Sequence, residues 1–209
     1  MVGLMLGNVS FMGYPIVLSL LGPEGLFYAV ITGGLVFEIV AWIVGRTIIG
    51  RTGSQVKGGR LKNALLNPGV LSIAIGLIFF LGQMEIPEPI HSTMRMLSGA
   101  TSPLAMIVVG LMLSRSNMKE VLSNKTVYIS AAIKLLVTPL LLLLILRSIG
   151  LTGMAQAIPV LKFAMPTAAY VAMFSADLGN DEKMASHLVF VTSSLSVLTI
   201  PLIASLIQL

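Results

Sequence analysis

The chain has 209 residues, of which 56% are hydrophobic and only 10% charged, with a net charge of +5 and a mean hydropathy of +0.98. Soluble domains carry roughly 25% charged residues, so a soluble enzyme and a nucleic-acid-binding domain are excluded, and the chain is read as an integral membrane protein. Cysteine is absent, which removes disulfides, a thiol nucleophile and thiolate metal ligation; no cofactor or metal is expected.

Continuous aliphatic runs such as Leu140 to Leu146 do not alternate as barrel strands would, so the spans are helical. Met1 is followed at once by apolar residues without a basic region or cleavage site, and no signal peptide is expected. Seven segments have the length and hydropathy of spans. The first runs from about Val2 to Leu21 and ends at Gly22-Pro23, a strong break. Within it, Asn8, Gly13 and Pro15 interrupt what would otherwise be a uniformly apolar helix. The second runs from Glu24 to about Ile49 and carries Glu38, which shares a face with Gly34, Trp42 and Gly45. Arg51 to Lys62 then forms a solvated basic loop.

The third span starts at Asn67-Pro68, with proline in the first helical turn where its missing N–H costs nothing, and ends near Gln83. The fourth covers Leu97 to Leu113, and its Pro103 follows the small, polar stretch Gly99-Ala100-Thr101-Ser102 that favours close packing. The fifth, Val127 to Leu146, places Ser130, Lys134 and Thr138 four residues apart on one stripe. The sixth, about Met154 to Leu178, is interrupted at Lys162-Phe163-Ala164-Met165-Pro166-Thr167. Asp177 to Glu182 reads as a solvated turn in which Gly179 caps one helix, while Asp181 and Glu182 open the next. The seventh runs from about Lys183 to Ile207, with His187 as a packed polar residue. Nine basic residues flank the connections on one side and only Arg95 and Arg147 the other, so the basic loops are expected to be cytoplasmic and Leu209 outside.

Irregular backbone is tolerated in a bilayer only where protein or a water-filled cavity satisfies its freed amides and carbonyls. Two interrupted spans in corresponding halves therefore point to a transporter's binding site. Glu38, Lys134 and Lys162 each cost roughly 2.5–3.5 kcal/mol at mid-membrane, so each is expected to face the bundle interior. Two lysines against one glutamate suggest a cavity favouring an anion. The alternative is that a lysine pairs with Glu38 or snorkels to an interface. The candidate substrate-binding residues are Asn8, Pro15, Glu38, Lys134, Lys162, Pro166 and Thr167.

The motif Asn8-Val9-Ser10-Phe11-Met12-Gly13-Tyr14-Pro15 resembles the first crossover helix of the auxin efflux carrier family, with plant and bacterial members. Asn67-Pro68 with Gly76, Ser102-Pro103-Leu104-Ala105, Lys134-Leu135 with Pro139, Met165-Pro166-Thr167-Ala168 and Thr192-Ser193-Ser194 with Pro201 are similar to its later helices in order. The resemblance implies an all-α membrane fold of ten helices in two inverted repeats, with crossed, proline-broken helices at its centre. It also implies transport of a small organic anion, auxin-like or dicarboxylate-like, across the plasma membrane. The seven spans correspond to the family's last seven. Residues 1–50 would be the remainder of the first repeat, 51–66 a cytoplasmic loop and 67–209 the complete second repeat. The expected partners are the anion, membrane lipid, and either a second copy or additional N-terminal helices.

Overall fold

The computed structural model describes residues 2–32, 41–52, 68–114 and 118–207. These are helical almost throughout: α1 (Val2–Met5), α2 (Tyr14–Ile31), α3 (Arg46–Thr52), α4 (Pro68–Leu81), α5 (Glu88–Ser114), α6 (Met118–Ser123), α7 (Lys125–Ala132), α8 (Thr138–Ser148), α9 (Met154–Ala164), α10 (Ala169–Asp177) and α11 (Glu182–Leu206). Wider π-turns at Val9–Gly13, Ala41–Gly45 and Ile133–Val137 lead directly into α2, α3 and α8. Among the described residues no strand forms; a single isolated antiparallel bridge joins Gly7 to Thr167.

Two of the π-turns have a cause that is visible in the sequence. Each ends two residues before a proline, Pro15 in one case and Pro139 in the other. A proline in a helix lacks its N–H and crowds the carbonyl four residues back. A wider turn relieves that crowding. At Val9–Gly13 the Tyr14 N–H reaches the Val9 carbonyl, and at Ile133–Val137 the Thr138 N–H reaches that of Ile133. Both bonds span five residues instead of four.

Among the described residues, three stretches are long and apolar enough to cross a membrane: Val9–Ile31, Lys125–Ser148 and Glu182–Leu206. The first is not straight, because Gly22 sits at φ 70° and ψ −172°, outside helical geometry. The expected break at Gly22-Pro23 is therefore present. Helix α5 begins at Glu88, nine residues before the expected Leu97. Pro89 in its first turn and the acidic Glu88 at its positive end both favour an early start, and Thr93 closes that turn through the Pro89 carbonyl (2.7 Å).

The sharpest connection is the turn between α10 and α11. Asn180 N–H bonds the Ser175 carbonyl (2.8 Å) and Gly179 N–H that of Ala176 (3.3 Å), with Gly179 at φ 64°. This double closure ends a helix on a left-handed glycine. Asp181 then caps α11 by accepting the Met184 N–H (2.9 Å), while Asn180 Nδ2 donates to the Ile49 carbonyl (2.9 Å) and ties the turn to α3. At the other end of the molecule, Arg147 donates to the Leu206 carbonyl (2.7 Å), joining the ends of α8 and α11.

Helix α11 is the hub, packing on α5, α7, α9 and α10. Three apolar clusters surround it. One unites Leu6 and Ile49 with α10, a second joins Val17 and Ala29 of α2 with α8, α9 and Ile203, and a third sets Val121, Val127 and Ala131 against Leu188 and Val191. Replacing Asp181 with Ala is expected to lower stability by about 1 kcal/mol through loss of the α11 cap, read as a lower midpoint of thermal unfolding in detergent.

Candidate functional site

The two interrupted segments meet. Helix α9 stops at Ala164 because the residue before a proline is driven out of the helical region. Met165 accordingly adopts φ −65°, ψ 143°, and Ala168 at φ −67°, ψ 139° remains extended until α10 begins at Ala169. On the other strand of the crossing α1 ends at Met5, and Asn8 lies at φ −77°, ψ 60°. The Val9 N–H folds back to the Gly7 carbonyl (2.9 Å) around it, which is an inverse γ-turn.

Residues 6–8 and 165–168 run antiparallel and satisfy each other. Asn8 N–H donates to the Pro166 carbonyl (2.7 Å), and Ala168 N–H donates to the Leu6 carbonyl (3.0 Å). These bonds bracket Gly7 and Thr167, a pairing in which the two backbones approach most closely. Proline fits here because only its carbonyl is used. Glycine fits because of crowding: a Cβ on Gly7 would lie 3.3 Å from the Lys162 carbonyl and 3.5 Å from Lys134 Nζ.

Thr167 locks the crossing to its surroundings. Its Oγ1 donates to the Gly3 carbonyl (2.9 Å), and its N–H donates to Thr192 Oγ1 (3.1 Å). The Thr192 hydroxyl in turn donates to the Leu188 carbonyl of α11 (2.7 Å). Both threonines are wholly buried.

The sequence candidates separate into three groups. Asn8, Lys134, Pro166 and Thr167 converge at the crossing and are buried, Asn8 at 2% and Lys134 at 1% exposure. The Asn8 side-chain amide Nδ2 has no hydrogen-bond partner. Lys162 belongs to the half-helix that runs into the break, but its ammonium donates to the Ala29 carbonyl (2.6 Å) on α2. Pro15 is exposed, one residue into α2, and Glu38 lies outside the described residues.

The sequence reading missed the Thr192 contact, the π-turn that carries Lys134, and the state of His187. That imidazole is buried, and neither ring nitrogen has a hydrogen-bond partner. The spacing of Thr138 from Ile133 and the nearby Pro139 were the available signals for the π-turn. Among the described residues, no cluster of His, Asp or Glu has the arrangement of a metal site. Chemically, the crossing presents an amide donor and an ammonium group in buried surroundings, an arrangement suited to a negatively charged group.

The family described as membrane transport protein matches residues 1–204. An uncharacterized transporter of Methanothermobacter thermautotrophicus is 29% identical over 198 residues, 93% of this chain and 63% of the relative. An uncharacterized transporter of Methanocaldococcus jannaschii is 30% identical over 204 residues, 95% of this chain and 64% of the relative. The chain thus spans a little under two thirds of the length of these curated relatives. It belongs to the membrane transport protein family, which includes the auxin efflux carriers.

Replacing Thr167 with Val removes one donor and leaves the Gly3 carbonyl without it in an apolar setting. A loss of about 1–3 kcal/mol is expected, measurable as a lowered unfolding midpoint. Thr192→Val should act in the same direction through the Thr167 amide.

Proposed function

We propose that this chain binds and carries a small organic anion, auxin-like or dicarboxylate-like, by alternating access around the crossing of residues 6–8 and 165–168. The supporting observation is the unpaired Asn8 amide Nδ2 in buried surroundings, with Lys134 Nζ directed at the adjacent Gly7. In this reading Asn8 donates to the anion and Lys134 supplies its countercharge. Pro166 and Thr167 hold the geometry. Lys162 adds positive charge from the adjoining half-helix, and Pro15 and Glu38 complete the set of substrate-binding residues in this reading.

The backbone adds a second attraction. The helical segments beginning at Val9 and Ala169 both start at the crossing, so their N-terminal dipole ends favour a negative charge there. Cargo reaches each side in turn as one helix bundle rocks against the other. The distribution of basic residues supports cytoplasmic loops at residues 51–62 and 115–125, with the C-terminus outside. Seven spans, arranged as part of a ten-helix inverted repeat, complete the reading.

A second reading, in which further helices are required for transport, is favoured by α4 and α5. The first half of α5 is exposed all round, with Ile90, Met94, Met96 and Leu97 interleaved among His91, Ser92 and Arg95. Neither lipid nor water suits such a mixture. The greater length of the matched relatives points the same way.

Uptake of radiolabelled monocarboxylates and dicarboxylates into proteoliposomes containing the purified chain tests both readings. Flux by the chain alone supports the first, and flux restored only by added helices supports the second. Lys134→Met is expected to reduce flux by about 10–100-fold, the equivalent of one lost charge-assisted contact. Undiminished flux in that variant removes Lys134 from the site.

A further inference from the structure

We propose that α2 contains a hinged arm, residues 23–31, which Lys162 latches to α9. The hinge is Gly22. Its φ of 70° with ψ −172° belongs to a region that side-chain-bearing residues essentially do not occupy, and a Cβ placed there would meet nothing within 4 Å. The backbone conformation alone therefore demands glycine. Pro23 restarts the helix immediately beyond, so the chain has two rigid helical halves joined at one residue.

The latch is a contact across 133 positions of sequence: Lys162 Nζ donates to the Ala29 carbonyl at 2.6 Å. Ala29 lies in the last turn of α2, where helix carbonyls lack an intrahelical amide. An ammonium there satisfies one such carbonyl and complements the negative end of the helix dipole. Ala29 itself is wholly buried against α9. The exposed residues Phe27, Tyr28, Val30 and Ile31 occupy other sides of the arm, so among the described residues its packing at this level is on the Ala29 face. Because the Lys162 carbonyl also reaches the Gly7 position of the crossing, one residue touches both the crossing and the arm. Release of the arm when Lys162 turns toward an anion would couple cargo binding to opening. That coupling rests on the proposed carrier function, whereas the hinge and latch stand apart from it.

The absence of native cysteine allows a direct test in the full chain in detergent. A single Ala29→Cys substitution reports arm release through its rate of reaction with a maleimide. Adding Lys162→Met is expected to raise that rate roughly tenfold or more, as loss of a hydrogen bond to a charged group implies. Lys162→Arg, which keeps a cationic donor, should stay near the parent rate. A cysteine at the buried Ser196 of α11 serves as control and should react at an unchanged rate. No increase at position 29, or an equal increase at position 196, overturns the proposal. Amide hydrogen exchange over residues 23–31 with Ala29 retained gives the same comparison without disturbing the packed face. Faster labelling in Lys162→Met alongside absent anion flux in the unsubstituted chain would sink the carrier reading and leave the latch standing.

Discussion

The organisation of this protein follows from one requirement: peptide groups released from a helix inside an apolar molecule must find partners within the protein. An unpaired amide moved from water into an apolar phase costs several kcal/mol. Residues 6–8 and 165–168 meet that requirement reciprocally, each segment supplying the other with one donor and one acceptor. Neither break is readily stable alone. Paired, they place two helix interruptions at one point and fix the relative positions of α1, α2, α9 and α10.

The pairing also explains why the crossing is chemically distinctive. Once backbone partners are supplied by backbone, the side chains at the crossing are free for other work. Thr167 and Thr192 are spent on anchoring the loop to α1 and α11. Asn8 is not, and its side-chain Nδ2 remains without a partner. A buried polar group left in that condition is costly in structural terms. The two interior lysines divide between the crossing and the arm of α2.

Much of this was legible residue by residue. Met165-Pro166 dictates its own break because the residue before proline avoids the helix, and Gly179 with Asp181 dictates the turn into α11. Gly22-Pro23 marks the hinge for the same reason of backbone conformation. The first break was harder. Pro15 drew attention to itself, but the chain absorbs it in a π-turn, and unwinding occurs earlier, at residues 6–8, where glycine and asparagine permit it. The start of α5 was obscured because His91 and Arg95 resemble loop residues. The partner of Lys162 was beyond reach, since a contact with a backbone carbonyl 133 positions away leaves no mark in local spacing. Membership of the membrane transport protein family rests on a match that runs over residues 1–204.

The most direct examination of this account is an experimentally determined map of the protein in lipid with a bound organic anion. The anion's carboxylate should lie within hydrogen-bonding distance of Asn8 Nδ2 and Lys134 Nζ, beside an intact pairing of Gly7 with Thr167. Density for the anion at a separate position, or continuous helix through residues 6–8 and 165–168, would contradict it.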